Sequence, residues 1–209
     1  MFTLYATPLS ANARKVLAVS LHLGLDPEVK LVNVYKGEGR TPDYLAVNPS
    51  GKIPTLVDGD LTLWESNAIL LYIAEMYGDY KLWSHIPKER SDISRWLFWE
   101  ASQWQPALVH VLSGFVAYKL GLSNAATIPS VNWDDESFTK LAVHLDNHLQ
   151  HRQFLTGDAI TLADFSVAAM LMYVRDTCFP SETYANIASW YSRIENLEAW
   201  KATSVEPWL

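Results

Sequence analysis

The residues with the most distinctive chemistry lie in one short stretch, NPSGKIPTLVDGDLTLWES, at positions 48 to 66. Pro54 lies directly before the strand-like segment 55–57, although proline has no N–H group with which to join a strand. A helix pattern then begins at Glu65-Ser66, two residues that readily hold polar groups. On these residues alone, a tight turn followed by an ordinary helix cap is the simpler interpretation.

Three histidines form a second candidate site. His144, His148 and His151 in HLDNHLQH are spaced i, i+4 and i+7, and this spacing can present three imidazoles to a zinc ion. The helix pattern ends there beside the polar HRQ, so a solvated last turn at the negative end of a helix is the simpler interpretation. We therefore predict no metal.

Cys178 is the only cysteine, so the chain cannot form an intramolecular disulfide or a cysteine-based metal framework. Its position within the helical half predicts a small residue of the hydrophobic core. A chain without disulfides suits a reducing compartment.

Composition restricts the class of protein. The 209 residues are 49% hydrophobic and 19% charged, which is typical of a globular chain. The formal net charge of −7 argues against a nucleic-acid surface and against an anionic membrane as partners. The sequence opens on the alternating MFTLYA without a charged leader, and its longest apolar run, 165–174, is about half a membrane span. We predict a cytoplasmic location.

The first 78 residues mix strand and helix patterns. The spacing of apolar residues predicts strands at 2–5, 29–34, 55–57 and 61–63, and helices at 12–23, 42–48 and 66–77. Asp58-Gly59-Asp60 is a hairpin signal between the last two strands. The order βαβα followed by ββα predicts a mixed sheet, because crossovers make parallel strands and the hairpin adds an antiparallel one.

The remainder of the chain shows helix patterns alone, at 89–120, 134–151, 161–176 and 183–202. The stretch AITLADF contains a capping box, with Thr161 as N-cap and Asp164 reaching back, and Ile160 able to pack on Phe165. We interpret this motif as structural. The predicted organisation is a mixed α/β domain at 1–78, a linker at 79–88 and an all-helical domain at 89–209.

Four segments, in this order and spacing, resemble the cytosolic glutathione transferases. They are LYATPLSANARKV at 4–16, NPSGKIPTL at 48–56, LWESNAI at 63–69 and TLADF at 161–165. Each is weak alone, but the set is specific, and the resemblance covers essentially the whole chain. The spelling TPLSANARKV is closest to serine-type, phi- and theta-like bacterial members. The resemblance implies a thioredoxin-like first domain, an all-helical second domain and a homodimer.

The resemblance also gives the opening stretch a role in binding glutathione. In this family the bond before the equivalent of Pro54 is cis, and the backbone of Ile53 would pair with the cysteinyl residue of glutathione as a strand does. The helix start at Ser66 suits the γ-glutamyl carboxylate, and the Glu65 carboxylate suits the γ-glutamyl ammonium. Arg40 and Lys52 are candidate partners of the glycyl carboxylate, or else surface charges without that role.

Ser10 follows the first strand, where serine-type classes carry the residue that stabilises the thiolate. A free cysteine thiol has a pKa of about 8.5. A hydrogen bond to a charged acceptor contributes roughly 1.5–3 kcal/mol, so one hydroxyl can lower that pKa by about one to two units. Asn12 could cap the helix and leave Ser10 available, and whether Arg14 assists is open. Since Cys178 lies far from this position, conjugation is favoured over thiol exchange.

An electrophile would bind between the domains, according to the resemblance. Its candidate pocket residues are Leu9, Asn12, Gln103, Trp104, Ala107, His110, Val111 and Phe115. We predict a glutathione transferase that conjugates the thiolate to electrophilic small molecules, with glutathione as co-substrate. Two alternatives stay open: a dedicated glutathione-dependent dehalogenase or ether-cleaving enzyme, and a non-catalytic binding protein of the same family.

Overall fold

The computed structural model of the protein describes residues 2–7 and 9–204. These residues form two compact units, one from the segment up to Trp83 together with the segment from Glu198, the other from Ser84 to Leu197. The place of 198–204 differs from the predicted helical domain, because Trp200 is buried in the first unit beneath the guanidinium of Arg14. The predicted domain limits at residue 1 and at 205–209 lie outside the described residues.

The first unit contains a four-stranded mixed sheet, as predicted. Its strands are β1 (Thr3–Ala6), β2 (Glu28–Leu31), β3 (Thr55–Asp58) and β4 (Leu61–Trp64), in the order β2-β1-β3-β4. The β1–β2 pair is parallel, with Thr3 opposite Glu28, and the other two pairs are antiparallel. The second strand is shorter than predicted because the Asn33 side chain accepts from the N–H groups of Tyr35 and Lys36 and begins a 3₁₀ turn.

The first unit also contains helices. They are α1 (Ala11–His22), α2 (Pro42–Val47), α3 (Ser66–Tyr77) and, from the end of the described chain, α9 (Glu198–Lys201). Of the four apolar residues predicted to share one face of α1, Ala13, Val16 and Leu17 are buried, but Leu21 is 37% exposed. Helix α1 packs against both α3 and α9. Both α1 and α3 begin directly after a strand or a short turn, so their N-terminal ends lie at the rim of the sheet.

The second unit is helical, as predicted, but its long first helix is interrupted. Helix α4 (Pro87–Trp99) passes into a π-helical segment (Glu100–Trp104) before α5 (Gln105–Lys119) begins. Pro106 explains the interruption, because it has no N–H group for the carbonyl oxygen four residues earlier, and a wider turn accommodates the loss. The other helices of this unit are α6 (Glu136–Leu149), α7 (Leu162–Ala169) and α8 (Ala185–Glu195).

The predicted capping box at the start of α7 is present, and its Asp164 side chain is fully buried. Asp164 accepts from the Thr161 N–H at 2.8 Å, which closes the box. The same carboxylate accepts from the Leu155 N–H at 2.8 Å and from Trp190 Nε1 at 2.9 Å. Burial raises the pKa of Asp164, while these hydrogen bonds act in the opposite direction. The box therefore joins three segments of the helical unit and has the structural role expected of it.

Within residues 2–7 and 9–204, none of the helices combines the length and the apolar character required to cross a bilayer.

Candidate active site

Ser10 lies at the junction between β1 and α1 and caps the helix itself. Its Oγ accepts from the Ala13 N–H at 3.4 Å, and its own N–H donates to the Thr7 carbonyl oxygen at 3.1 Å. Of the two residues that could cap this helix, the structure shows Ser10 and not Asn12 in the role. Capping occupies one lone pair of the hydroxyl and does not use its proton, so the Ser10 O–H can still donate to a ligand atom.

Asn12 instead connects α1 to α3. Its side-chain oxygen accepts from Ser66 Oγ at 3.1 Å, which joins the first turns of the two helices. Ser66, the first residue of α3, is 9% exposed. Because Asn12 is engaged in this bond, it is a poor candidate for lining an electrophile pocket.

The backbone before α3 has an unusual conformation. Glu65, the N-cap residue, has φ 70° and ψ 109°, a region that L side chains rarely occupy. The Glu65 side chain makes no capping hydrogen bond to this helix and is exposed. The N–H groups at the start of a helix favour an anion.

The loop before β3 is held by buried polar side chains. The Ile53–Pro54 peptide bond is cis, as the resemblance implies. The Lys52 carbonyl oxygen accepts from the Tyr44 hydroxyl at 2.6 Å and from Asn48 Nδ2 at 2.9 Å. Burial is the main cause of the raised pKa of Tyr44, so its hydroxyl stays a donor. Within the described part of the chain, the backbone N–H and C=O of Ile53 make no hydrogen bond.

Tyr44 and Asn48 were not identified from the sequence. Asn48 belongs to the NPSGKIPTL segment and precedes a proline, so its position was a usable signal for a loop-supporting residue. Tyr44 lies in α2 and reaches the loop only through the tertiary fold, where its hydroxyl also lies 2.9 Å from Thr55 Oγ1.

Two glycines bring Arg40 alongside this loop. A Cβ atom at Gly39 would lie 2.4 Å from the Gly51 carbonyl oxygen, and one at Gly51, where φ is +65°, would lie 2.5 Å from the Gly39 carbonyl oxygen. Only glycine permits so close a backbone approach. Arg40 and Lys52 are both exposed on the two segments that the glycines join, and a Cβ atom at Gly51 would lie 3.2 Å from Arg40 Nη1.

Arg14 has a structural partner in the first unit. Its guanidinium is 4.4 Å from the Trp200 ring, and it donates to the Trp200 carbonyl oxygen at 3.2 Å and to Thr203 Oγ1 at 3.4 Å. Arg14 is 6% exposed. The side chain therefore anchors the 198–204 segment on α1.

The predicted electrophile residues of the helical unit separate into two groups. Trp104 and Phe115 belong to the core: Trp104 Nε1 donates to the Val167 carbonyl oxygen at 3.2 Å, and the Phe115 ring packs on Tyr173 at 6.0 Å. Their assignment to a pocket is wrong, because helical spacing identified the face correctly but not the neighbours that cover it.

The second group lines an open groove of about 530 Å³ between α5 and α6. Gln103, Ala107 and His110 contribute to it, and His110 Nε2 lies 3.5 Å from Asp135 Oδ2. Val111 is half-buried on the same helix. Leu9 is buried in the first unit beside Ser10, at 8% exposure.

The histidine and cysteine expectations also need correction. His148 is half-buried against the Trp96 ring at 4.7 Å, and its Nε2 lies 2.7 Å from the Leu155 carbonyl oxygen, so it is not a solvated side chain. No three His, Cys, Asp or Glu side chains of the described residues are arranged to hold a metal ion. Cys178 is exposed, with φ 53°, and lines a cavity of about 220 Å³ instead of the core.

Comparison with known proteins agrees with this arrangement. The family model described as "Glutathione S-transferase, N-terminal domain" matches residues 1–75, and "Glutathione S-transferase, C-terminal domain" matches residues 129–200. Glutathione S-transferase F10 from Arabidopsis thaliana is 30% identical over 99% of this chain and 97% of its own length.

Solved structures are similar over nearly the whole chain. Glutathione transferase F7 from Populus trichocarpa is 32% identical, with a TM-score of 0.85 over 97% of each chain. A delta-class glutathione transferase from Nilaparvata lugens is 28% identical, with a TM-score of 0.84 over 99% of this chain and 94% of that one. The chain therefore belongs to the glutathione S-transferase family of enzymes.

Proposed function

We propose that the protein conjugates the thiolate of glutathione to electrophilic small molecules and that Ser10 donates the hydrogen bond that stabilises the thiolate. The observation that carries this proposal is the 3.1 Å bond between Asn12 and Ser66. It fixes the start of α1, where Ser10 stands, to the start of α3. A ligand with a thiol at one end of this frame and a carboxylate at the other is held by both helices, and family membership supports glutathione as that ligand.

The rest of the tripeptide has complementary groups in the same unit. The unpaired backbone of Ile53 suits the cysteinyl residue, which would add to it like a strand. The first turn of α3 suits the γ-glutamyl carboxylate, and Glu65 suits the γ-glutamyl ammonium. Arg40 and Lys52, both exposed, suit the glycyl carboxylate. Pro54 holds the turn between these groups.

The role of Ser10 is that of a donor and not a nucleophile. Its O–H lowers the thiol pKa from about 8.5 by roughly one to two units, since a charge-assisted hydrogen bond contributes about 1.5–3 kcal/mol. The positive end of α1 adds a smaller contribution of the same sign. The thiolate then attacks an electrophilic carbon and either displaces a leaving group or adds across an activated double bond.

For the electrophile we propose Gln103, Ala107, His110 and Val111 of the helical unit and, within the first unit, Leu9 beside Ser10. Trp104 and Phe115 are omitted because they are core residues. Asn12 is assigned to the glutathione side through its bond to Ser66. The mixed polar and apolar character of this set suits a moderately hydrophobic small molecule.

A homodimer is part of the proposal, in line with the resemblance. Phe98 on α4 is 74% exposed, and a large exposed ring is a good candidate for burial at a subunit interface. Sedimentation velocity over a range of concentrations measures the association. A Phe98→Ser variant that associates as well as the wild type would remove this residue from the interface.

The experiment that tests the function combines a binding and a rate measurement. Calorimetry gives the affinity for glutathione, and absorbance follows conjugation to a nitro-substituted chlorobenzene. Binding with a rate well above the uncatalysed one is expected. Binding without acceleration of this or any other electrophile would favour the non-catalytic alternative, and acceleration confined to haloalkanes or aryl ethers would favour the dedicated dehalogenase or ether-cleaving enzyme. Absence of binding contradicts the proposal.

A further inference from the structure

The carbonyl group of Lys52 is bound by two buried side chains of the first unit. It accepts from the Tyr44 hydroxyl at 2.6 Å and from Asn48 Nδ2 at 2.9 Å. Tyr44 is 4% exposed and Asn48 is 0% exposed, whereas Lys52 itself is an exposed residue. A carbonyl oxygen has two lone pairs, and these two donors account for both.

Thr55 completes the hydrogen bonds of the two donors. Its Oγ1 is buried, accepts from Asn48 Nδ2 at 2.9 Å and lies 2.9 Å from the Tyr44 hydroxyl. Because the Tyr44 proton is donated to Lys52, the Thr55 hydroxyl donates to the Tyr44 oxygen. The Asn48 amide uses both of its protons, one on Lys52 and one on Thr55. A buried network therefore determines the direction of the Lys52 carbonyl.

This carbonyl group belongs to the same peptide unit as the Ile53 N–H group. The Lys52–Ile53 bond is trans, and in a planar trans peptide the C=O and N–H groups point in opposite directions. The carbonyl points inward to Tyr44 and Asn48, so the Ile53 N–H points away from them. Among the residues that the structure describes, neither this N–H nor the Ile53 carbonyl oxygen has a hydrogen-bond partner.

The chain before Lys52 is fixed as well. Asn48 Oδ1 accepts from the Ser50 N–H at 3.0 Å and from the Ser50 hydroxyl at 2.8 Å. Asn48 therefore uses its whole amide group on this loop, through Oδ1 and through Nδ2. The Ile53 N–H is thus oriented before a ligand binds, and a donor that is already in place costs less to use.

We propose that Tyr44 and Asn48 are positioning residues that direct the Ile53 N–H toward the cysteinyl carbonyl of glutathione, so that the first unit selects thiols that carry a carbonyl group at this position. Both residues act through Lys52, without contact with the ligand. This inference rests on the proposed function. It assigns a role in selecting peptidyl thiols over simple thiols to two residues outside the set predicted from the sequence.

The test compares glutathione with an analogue in which an (E)-alkene replaces the cysteinyl–glycyl peptide bond. The analogue keeps the thiol, the ammonium and both carboxylates but has no cysteinyl carbonyl. Calorimetry, with displacement titration for weak binding, measures both affinities, and the wild type should prefer glutathione about tenfold or more. Tyr44→Phe should weaken glutathione about threefold to tenfold, the scale of one neutral hydrogen bond, and change binding of the analogue less than about twofold.

Tyr72→Phe is the matched control. It also removes one phenolic hydroxyl of the first unit, which donates to Asp58 Oδ2 at 2.9 Å, at the β3–β4 hairpin. Both phenylalanine variants should unfold at a lower urea concentration than the wild type, but Tyr72→Phe should change neither affinity. Loss of stability alone then does not account for the selective effect expected of Tyr44→Phe.

A purely structural network would give a different result. Tyr44→Phe would then weaken both ligands by the same factor, or neither, and either outcome overturns the inference while leaving the proposed function intact. A wild type that binds glutathione and the analogue equally well would also overturn it. Failure of the wild type to bind glutathione overturns both the inference and the proposed function.

Asn48→Asp is a second variant, which tests the other donor. It keeps an acceptor for Ser50 but replaces the donor to Lys52 by a carboxylate oxygen, which repels the carbonyl and should turn the Ile53 N–H away from the ligand. Glutathione should bind about tenfold or more weakly, and binding of the analogue should stay within about threefold of the wild type. Equal weakening of both ligands by Asn48→Asp would likewise count against a role in positioning.

Discussion

The two units each bury a polar cluster, and the two clusters differ in where their hydrogen bonds lead. In the helical unit the Asp164 carboxylate accepts from the N–H groups of Leu155 and Thr161 and from Trp190, all within 2.9 Å. Each of these donors belongs to the same unit. The cluster is complete without any ligand, and it connects segments that would otherwise separate.

In the first unit the cluster ends at a helix start. Asn12 and Lys15 bond to Ser66 and Asn67, the Glu65 side chain makes no capping bond to α3, and the Glu65 backbone is strained. Backbone strain of this kind is found where it serves function. The contrast is therefore between a carboxylate whose bonds join segments of one unit and a strained helix start that we propose for ligand binding.

The largest expected effect comes from removing the Asp164 carboxylate from its buried hydrogen-bond network. Asp164→Ala leaves the Leu155 N–H and Trp190 Nε1 without acceptors in a buried site, and the free energy of unfolding should fall by at least about 3 kcal/mol. Urea denaturation followed by tryptophan fluorescence measures the loss. Where the variant is folded, its affinity for glutathione should equal that of the wild type.

Asp158→Ala is the matched control, since this carboxylate is exposed a few residues earlier. It should change the free energy of unfolding by less than about 0.5 kcal/mol. Equal stability of the two variants would show that the Asp164 network does not hold the helical unit together.

The second prediction concerns Glu65, the residue before α3. Glu65→Gln keeps the shape of the side chain but removes the charge proposed to meet the γ-glutamyl ammonium. Affinity for glutathione should fall about tenfold or more, with little change in stability. Calorimetry measures the affinity, and a Glu65→Gln variant that binds as tightly as the wild type would contradict this placement of glutathione.

The same residue allows a test of strain. Glycine tolerates φ 70° without penalty, so Glu65→Gly should raise the free energy of unfolding by about 1 kcal/mol while binding glutathione more weakly. Opposite changes in stability and affinity are the result expected of a residue strained for function. If Glu65→Gly lowered both the free energy of unfolding and the affinity for glutathione, Glu65 would be a structural residue, as Asp164 is.

The third prediction concerns the sulfur. Ser10→Ala should lower the rate of conjugation about 10- to 100-fold, the effect of one charge-assisted hydrogen bond, with little change in glutathione affinity. The thiolate absorbance of bound glutathione should titrate at least one pH unit higher than in the wild type. The pH dependence of turnover should follow the same shift, provided that chemistry limits the rate.

Loss of the helix cap complicates this variant, because Ser10 Oγ also accepts from Ala13. Ser10→Thr retains both the hydroxyl and the cap, so it should preserve the thiol pKa. If the bound thiol titrates like free glutathione in the wild type, the mechanism fails and the non-catalytic alternative is favoured.

Much of the fold was predictable because the deciding signals are local. Proline and glycine mark the boundaries of the first unit, and the capping box at Thr161 and Asp164 specifies the start of α7 from four residues. The mixed sheet followed from the order of elements alone. The π-helical segment was not predicted. The apolar pattern continues through Pro106, although the missing N–H group of this proline interrupts the α-helix.

The site was predictable only in part, because contacts depend on distant residues. Periodicity placed Trp104 on a buried face without indicating that Val167 would accept its hydrogen bond. It gave no indication that Tyr44 would support the Ile53 loop or that Lys15 would be buried beneath α3. Cysteine side chains are usually buried, so Cys178 was predicted to be a core residue. It lies instead at a position with positive φ and is exposed.

The smallest expected effect is a pH dependence in the helical unit. Burial lowers the pKa of His148, and the nearby Arg152 and Arg95 act in the same direction, although the Leu155 carbonyl oxygen and Asp92 oppose the shift. Because the folded-state pKa lies below the ordinary value of 6.5, the unfolded chain binds a proton more readily. The stabilisation is therefore complete above about pH 6.5 and is lost as the pH falls through the folded-state pKa.

Screening by solvent limits this effect, since the imidazole is only half-buried, and we expect a small fall in the free energy of unfolding between pH 7.5 and 5.5. His148→Gln should remove that part of the pH dependence in urea denaturation, whereas His151→Gln, at an exposed position in the following turn, should retain it. Identical profiles for the two variants would exclude His148 as the source. Glutathione affinity should be insensitive to both substitutions, because His148 closes its contacts within the helical unit, on Trp96 and Leu155, as Asp164 does.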